Sequence, residues 1–376
     1  MVPSHPPKTQ VRAEEAIAAR ARGLGFDAVG FARADVPLDV DFERYQDFIA
    51  RGFHGEMGWL AENAQIRASA SGEGILAGAR SVICVARRYQ RPRDEEERDP
   101  PLARAVARYA RGSDYHNHLR RKLRKLATFV RGLGTEEAPV LARPMCDDAP
   151  ILERAWAVRA GLGFVGKNGL LIVPGQGSMV LLGEVVTTLA LSPGVPMTER
   201  CGSCTRCLDV CPTDAFVRPF VLDPRRCIAY LTIEHRSDIA EEFRAPLGEH
   251  LFGCDDCQTV CPFNAGGASR RKTSGPSPFE PLACWTSLDL ITLLELGTGG
   301  DEAARALWTR LSGSPVRRAT AEGLARNAAL VLGNRRDAEA LPALRRAAAE
   351  HPQATVRESA RWAAGRIGGV SPDGGN

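Results

Sequence analysis

Eight cysteines between Cys201 and Cys261 constrain this chain more than any other feature. The first four, Cys201, Cys204, Cys207 and Cys211 in CGSCTRCLDVCP, are spaced C-x2-C-x2-C-x3-C-P. A tight loop of three thiolates at that spacing encloses three irons of one cubane, and the fourth cysteine, on the helix that follows, points to another. The second cubane needs three more thiolates. Cys227, Cys254 and Cys257 supply them, while Cys261 in CDDCQTVCP returns a fourth ligand to the first. The ligand sets are therefore Cys201, Cys204, Cys207 and Cys261 on one [4Fe–4S] cluster, and Cys211, Cys227, Cys254 and Cys257 on the other. Four thiolates also suit tetrahedral zinc, but two complete cysteine–proline motifs favour iron and sulfide. Cys227 precedes Cys254 by 27 positions, so residues 228–250 form an insertion that covers the cluster or lines a cleft. Of the remaining cysteines, Cys84 inside SVICVA reads as a small core residue.

At 376 residues the chain exceeds the roughly 250–300 at which one hydrophobic core stops growing, so it divides into domains. Residues 10–24 have apolar positions at helical spacing, and DAVGFA (27–32) and SVICVA (81–86) read as short buried strands. The charged, proline-punctuated stretch 87–101 reads as a solvent-exposed loop, followed by a basic helix from near Asp114. An extended segment at 139–144, a helix from Pro150 to Ala160, a glycine-rich turn at 161–169 and apolar strands at 170–173 and 179–191 complete an α/β or α+β domain over 1–195. The glycines Gly161, Gly163 and Gly166 follow a helix and precede a strand, the reverse of a dinucleotide-binding loop. A ferredoxin-like module spans 196–268, and a proline- and serine-rich linker covers 269–281. Beyond it, alanine, leucine and arginine recur at helical spacing over 285–370, and 325–334 is echoed by 356–365. That recurrence reads as an all-α HEAT-like array.

The chain has no apolar run of about 18 residues and no basic start followed by an apolar stretch, so a cytoplasmic protein off the membrane is expected. That compartment keeps thiols reduced, which agrees with metal rather than disulfide chemistry for the cysteines. The net charge of +4 is unevenly placed, with basic runs at 116–126 and beyond 310, and a polyanionic partner would meet them there.

The segments HGEMGWL (54–60), ARYARGSDYHNHLR (107–120), DDAPILERAWAVRAGLGFVGKNGLLI (147–172), GSMVLLGE (177–184), RRCIAYLTIEHR (225–236) and the two cysteine motifs together resemble the epoxyqueuosine reductases. These are cobalamin-dependent iron–sulfur enzymes of tRNA queuosine biosynthesis. The resemblance implies a cobalamin held over the N-terminal domain next to one cluster, with electrons from an unidentified donor entering through the other. It further implies an acid in a D-x-A-P segment, which falls on Asp147, and cobalamin contacts at Arg67, Tyr109, Asp147, Lys167 and Asn168. From the residues alone, Asp147 and Asp148 precede a proline-started helix, where an aspartate is most often an N-cap. Either could be the acid, and a cap-adjacent carboxyl needs burial or a second carboxylate to raise its pKa for that work. The implied partner is a tRNA anticodon stem-loop, with Arg120, Arg121, Lys122 and Lys125, and Arg317, Arg318, Arg345 and Arg346, as candidate phosphate contacts on a monomer. A reductive dehalogenase shares the cofactors, but such respiratory enzymes carry an export signal that this N-terminus lacks. A two-cluster electron-transfer subunit would bind no corrinoid.

Replacing Cys227 by Ser should lower bound iron from about eight to about four atoms per chain while the other cubane keeps its EPR signal. Unchanged iron on metal analysis would remove Cys227 from the ligand set.

Overall fold

The computed structural model describes residues 8–265, 277–298 and 302–369. The linker expected over 269–281 lies, up to residue 276, outside the described residues, as do the last residues of the 196–268 span. Its end is anchored: Ser113 N–H donates to the Pro278 carbonyl at 2.8 Å, and Phe279 is buried.

The N-terminal part is built on a four-stranded sheet of β1 (Ala28–Arg33), β2 (Ser81–Arg88), β3 (Ala142–Met145) and β4 (Val180–Thr187), in the order β1-β2-β4-β3. Every pairing is antiparallel, so this is an α+β layer rather than a parallel α/β one. The reason the sequence leaves this open is that both faces of β2 are covered. Ile83, Val85 and Val185 pack under α1 (Lys8–Gly23) and α2 (Tyr115–Arg131), while Val82, Cys84, Ala86 and Val186 pack under α3 (Glu153–Arg159). A strand buried on both faces shows a continuous apolar run whichever way its neighbours point.

Helix α2 carries Leu119, Leu123, Leu126, Ala127 and Val130 on the sheet side, all buried, at the i, i+4, i+7 spacing of an amphipathic helix. Its basic residues occupy the other face. Asp114 caps it, accepting from the His116 N–H at 3.0 Å.

The stretch 87–101 is not a solvent-exposed loop. β2 runs on to Arg88, and short helices follow at Arg93–Glu96 and Pro101–Arg104. Asp99, only 6% exposed, takes Arg91 and Arg111 at 2.9 Å each. Arg108 bridges Glu96 at 2.8 Å to Asp255 of the second cysteine motif at 3.2 Å. The charges that suggest a loop are neutralised by partners distant in sequence.

One hydrophobic cluster joins Leu102–Ala110, the insertion between Cys227 and Cys254, and the C-terminal helices as far as Ala363. At its centre runs α4 (Thr320–Arg335), buried on all sides from Gly323 to Gly333 and packed against Ala354–Gly368. A Cβ at Gly333 would lie 2.8 Å from Ala363, so glycine permits the close helix crossing. Arg326, 1% exposed, donates to the carbonyls of Leu231, His235 and Ser237 at 2.7–2.9 Å. Asn327 donates to those of Thr232 and Leu251 at 2.8 and 3.0 Å. Among the described residues no helix is long and apolar enough to cross a membrane.

Arg326→Met would strand the buried Leu231 carbonyl and take the donor from the part-buried carbonyls of His235 and Ser237. The expected cost is about 3 kcal/mol, read as a lowered urea midpoint; an unchanged midpoint would show that the insertion is not held by these bonds.

Candidate active site

After β3 the chain turns sharply at Asp147, whose backbone is left-handed at φ 53°, a conformation that aspartate tolerates better than most side chains. The turn points the carboxylate at the first turn of α2. Asp147 Oδ2 accepts from the Tyr115 hydroxyl at 2.8 Å and lies 3.2 Å from His116 Nε2. The other ring nitrogen of His116 lies 2.8 Å from Asp114 Oδ1. An imidazole between two carboxylates can donate from both nitrogens only as the cation. Burial opposes that charge, but bonds to Asp114 and Asp147 outweigh it and lift His116 to about 9. Protein packed around Asp147 likewise disfavours its charge, yet His116 and Tyr115 together hold the carboxyl below its ordinary value. Its side chain remains 56% exposed, open to an incoming ligand.

Neither aspartate is a helix cap. Helix α3 begins at Glu153 behind Leu152, with no side-chain cap, because Ala149–Leu152 stays outside the helix. Asp148 instead accepts from the Cys146 N–H at 3.0 Å and pairs with Arg120 at 3.1 Å. The sequence expectation that an acid here needs a raised pKa is reversed: Asp147 is lowered, and the proton sits on the neighbouring His116. The electrostatic reach of Asp147 includes Tyr109, Tyr115 and Arg318.

Tyr109 stands in an aromatic cluster with Tyr115 at 5.9 Å between ring centroids and Phe252 at 6.3 Å. Burial pushes its hydroxyl pKa up, so it stays a neutral donor. Arg318 reaches over from the C-terminal helices to bond Glu234 at 2.9 Å and lie 5.8 Å from the Trp59 ring. Trp59, 47% exposed, gives its carbonyl to Arg67, which is buried over the Tyr45 ring. The HGEMGWL segment is tied to the insertion by Tyr230, whose hydroxyl accepts from the Glu56 N–H at 2.9 Å; a Cβ at left-handed Gly55 would collide with that hydroxyl. Tyr109, Asp147, Trp59 and Arg67 are thus linked through Tyr115 and Arg318 in one chain of contacts. Asn168 accepts from the Leu170 N–H, and its buried amide nitrogen has no partner; the Arg67 Nε is likewise unpartnered. Lys167 turns elsewhere, donating to the carbonyls of Gly202 and Cys204 at 2.5 and 3.0 Å in the first cysteine loop.

The eight cysteines lie within one another's electrostatic reach, largely along the two expected sets, with Cys257 also reaching Cys207 across them. Cys261 acts with Cys201, Cys204 and Cys207, and Cys227 with Cys211, Cys254 and Cys257. Short helices Arg206–Asp209 and Asp256–Thr259, in contact with each other, lead into the two Cys-Pro pairs. Cys227 and Cys254 pack on the same core as Tyr109, so the second group adjoins the aromatic cluster of Tyr109 and Tyr115. Of the basic residues, Lys122 is drawn inward to the Leu24 carbonyl at 2.6 Å, whereas Arg121, Lys125, Arg345 and Arg346 are exposed, Arg346 in an ion pair with Glu295. Arg317 lies over the Trp308 ring.

The roles of Tyr115 and His116 are missed by sequence reasoning, which sees HNHLRRKL only as a basic run. Their partner Asp147 is some thirty positions away, and only the Asp-x-His spacing at 114–116 hints at them.

Residues 70–148 match the family described as epoxyqueuosine reductase QueG, DUF1730, and residues 200–264 match the 4Fe-4S double cluster binding domain. The chain is 40% identical over 357 residues to the epoxyqueuosine reductase of Xanthomonas campestris pv. campestris, covering 93% of this chain and 96% of the relative. It belongs to the epoxyqueuosine reductase family. The Pseudomonas aeruginosa epoxyqueuosine reductase is 37% identical, with 96% of each chain covered. A crystal structure of epoxyqueuosine reductase with an epoxyqueuosine-modified tRNA stem loop superposes at a TM-score of 0.82 with 32% identity, over 95% of this chain and 91% of that one. A Bacillus subtilis epoxyqueuosine reductase, captured with its catalytic loop swung out of the active site, gives a TM-score of 0.80 at 31% identity, covering 95% and 91% of the two chains. This epoxyqueuosine reductase is an oxidoreductase with a double [4Fe–4S] cluster domain.

The raised His116 pKa makes a signed prediction. The stability that His116 contributes is fully present below its unfolded value of about 6.5 and is lost as pH rises through about 9. Asp147→Asn should bring the His116 NMR titration midpoint down from about 9 toward the ordinary value. A midpoint that stays put would uncouple the two residues.

Proposed function

We propose that this reductase removes the epoxide oxygen of epoxyqueuosine in a tRNA anticodon loop, with the His116–Asp147 pair as its acid. Losing an epoxide oxygen as water consumes two electrons and two protons. Cys201, Cys204, Cys207 and Cys261, and Cys211, Cys227, Cys254 and Cys257, would hold the two clusters, which would supply the electrons. The observation that carries the proton assignment is the contact of Asp147 Oδ2 with His116 and Tyr115 at an exposed, left-handed turn. His116 stores the proton as an imidazolium, and Asp147 presents it at the rim, where the departing oxygen gains negative charge. Tyr115 keeps the carboxylate oriented.

The unpartnered buried donors at Arg67 Nε and Asn168 Nδ2 fit a large ligand rich in amide acceptors, as a corrin is. With Tyr109 they are the residues that would hold cobalamin. Cobalamin, when bound, supplies a low-potential metal centre able to deliver electrons to the epoxide-bearing carbon. Lys167, by its bonds to Gly202 and Cys204, instead orients the loop of the first cluster toward the same turn that carries Asn168.

The tRNA lies across Arg121, Lys125 and Arg345, with Arg317 and Arg318, also exposed, at the mouth. A loop base must unstack to reach Asp147, and Trp59 beside Arg318 offers it an aromatic face. The helices Thr320–Arg335 and Ala354–Gly368 form the last units of a HEAT-like array that carries part of this surface. The enzyme works in the cytoplasm as a monomer.

The test is anaerobic reconstitution with cobalamin and nucleoside analysis of epoxyqueuosine-containing tRNA. Asp147→Asn should reduce turnover at least about 100-fold and leave the absorption of both clusters unchanged. Turnover near that of the unmodified enzyme would place the acid elsewhere.

A further inference from the structure

Behind the Asp147 turn lies a second acid that the mechanism above does not use. Glu184 stands in mid-β4, on the face covered by α3, opposite Cys84 of β2 and Met145 of β3, and is fully buried at 0% exposure. Among the described residues, no N–H or O–H of fixed direction reaches either of its oxygens. The group within hydrogen-bonding range is the carboxyl of Glu153, at the first position of α3. Two carboxyls in contact in an apolar interior cannot both ionise, so they bond only by sharing a proton.

Glu153 connects this pair to the acid. Its Oε1 accepts the backbone N–H of Asp147 at 2.9 Å, at the residue whose φ of 53° makes the turn. The nearby cations are committed elsewhere: Arg154 donates to the Gly169 carbonyl, and Arg120 pairs with Asp148. The groups facing the two carboxyls are Cys84 from β2, Cys146, Asp147 and Asp148 from the turn and Arg154 from α3, with His116 beyond Asp147. Of the two cations among them, Arg154 is bonded to the Gly169 carbonyl and His116 lies between Asp114 and Asp147, so neither is hydrogen-bonded to the carboxyl pair.

We infer that Glu153 and Glu184 are positioning residues that share one proton: Glu184 donates to Glu153, and Glu153, left as an anion, holds the Asp147 N–H and so keeps the acid's turn in place. The inference rests on the reading of Asp147 as the acid. Burial and mutual repulsion push both carboxyls up, in keeping with a proton retained at neutral pH. The latch is strongest when the pair carries one proton. It weakens as pH falls and Glu153 is protonated as well, because a neutral carboxyl is a poorer acceptor.

Infrared spectroscopy and amide hydrogen exchange on the full-length, cluster-loaded protein test this without turnover. The unmodified protein should show the carbonyl stretch of a protonated carboxylic acid at neutral pH, and Glu184→Gln, which keeps a neutral donor to Glu153, should abolish it. Glu153→Gln should speed exchange over residues 145–150 by about tenfold and lower kcat with little change in KM. In Glu184→Gln the acid-side limb of the kcat profile should move to lower pH, a shift that a merely structural role would not produce. Absence of the protonated-acid band in the unmodified protein, which needs no variant to fold, would overturn the inference. So would unaltered exchange and pH profile in Glu153→Gln and Glu184→Gln. If Asp147→Asn retained turnover, the acid assignment would fall, while the band and the exchange rates would still decide whether the carboxyl pair exists.

Discussion

The burial of three distant segments in one hydrophobic cluster is the constraint on which the rest of the molecule depends. Leu102–Ala110, the insertion after Cys227 and the C-terminal helices share apolar contacts that none of them could satisfy alone. Phe252, fully buried, lies at the junction: the Ala107 N–H donates to its carbonyl at 2.8 Å, its ring meets Tyr109, and Cys254 follows two residues later. Holding that strip in place fixes the second cysteine group against the domain that carries Asp147. The ion pairs of Arg108 with Glu96 and Asp255 reinforce the same junction from its polar side. Fully exposed, such pairs would add little, but here both carboxylates are shielded by their surroundings.

On this frame the chemistry at Asp147 is set by hydrogen bonds rather than by burial. A carboxyl made acidic by His116 and Tyr115 is a poor store for a proton, and the imidazolium beside it is a good one. In the proposed mechanism, dividing the work lets the store remain charged near neutrality while the group that would face the substrate stays small and exposed. The carboxyl pair at Glu153 and Glu184 extends this arrangement into the apolar side of the sheet, where one proton is retained because a second anion would be too costly.

Legibility in the sequence followed the range of the interactions involved. The cysteine motifs are local, since cluster geometry dictates their spacing, and they could be read directly. Buried strands and the amphipathic helix after Asp114 were legible for the same reason. Strand direction was not, because covering both faces of β2 erases the alternation that marks an antiparallel strand with one wet face. The acidic and basic residues of 87–101 looked like a loop because their partners Arg108, Arg111 and Asp255 are remote in the chain. His116 passed as one more charge in a basic run, and Glu184 was hidden inside MVLLGEVVTTLAL, where a single acid in an apolar strand has no local signature of its role. Lys122 illustrates the opposite error: read as a surface cation, it is held by the Leu24 carbonyl.

In the proposed mechanism the proton for the departing oxygen is stored on His116 and not on a neutral Asp147. The pH dependence of single-turnover epoxide loss, with both clusters reduced in advance, tests this most directly. Storage on His116 predicts a rate that persists above neutrality and falls only as pH passes about 9. A rate that falls already in the ordinary carboxylic-acid range, about pH 4 to 5, would contradict it and return the proton to the carboxyl.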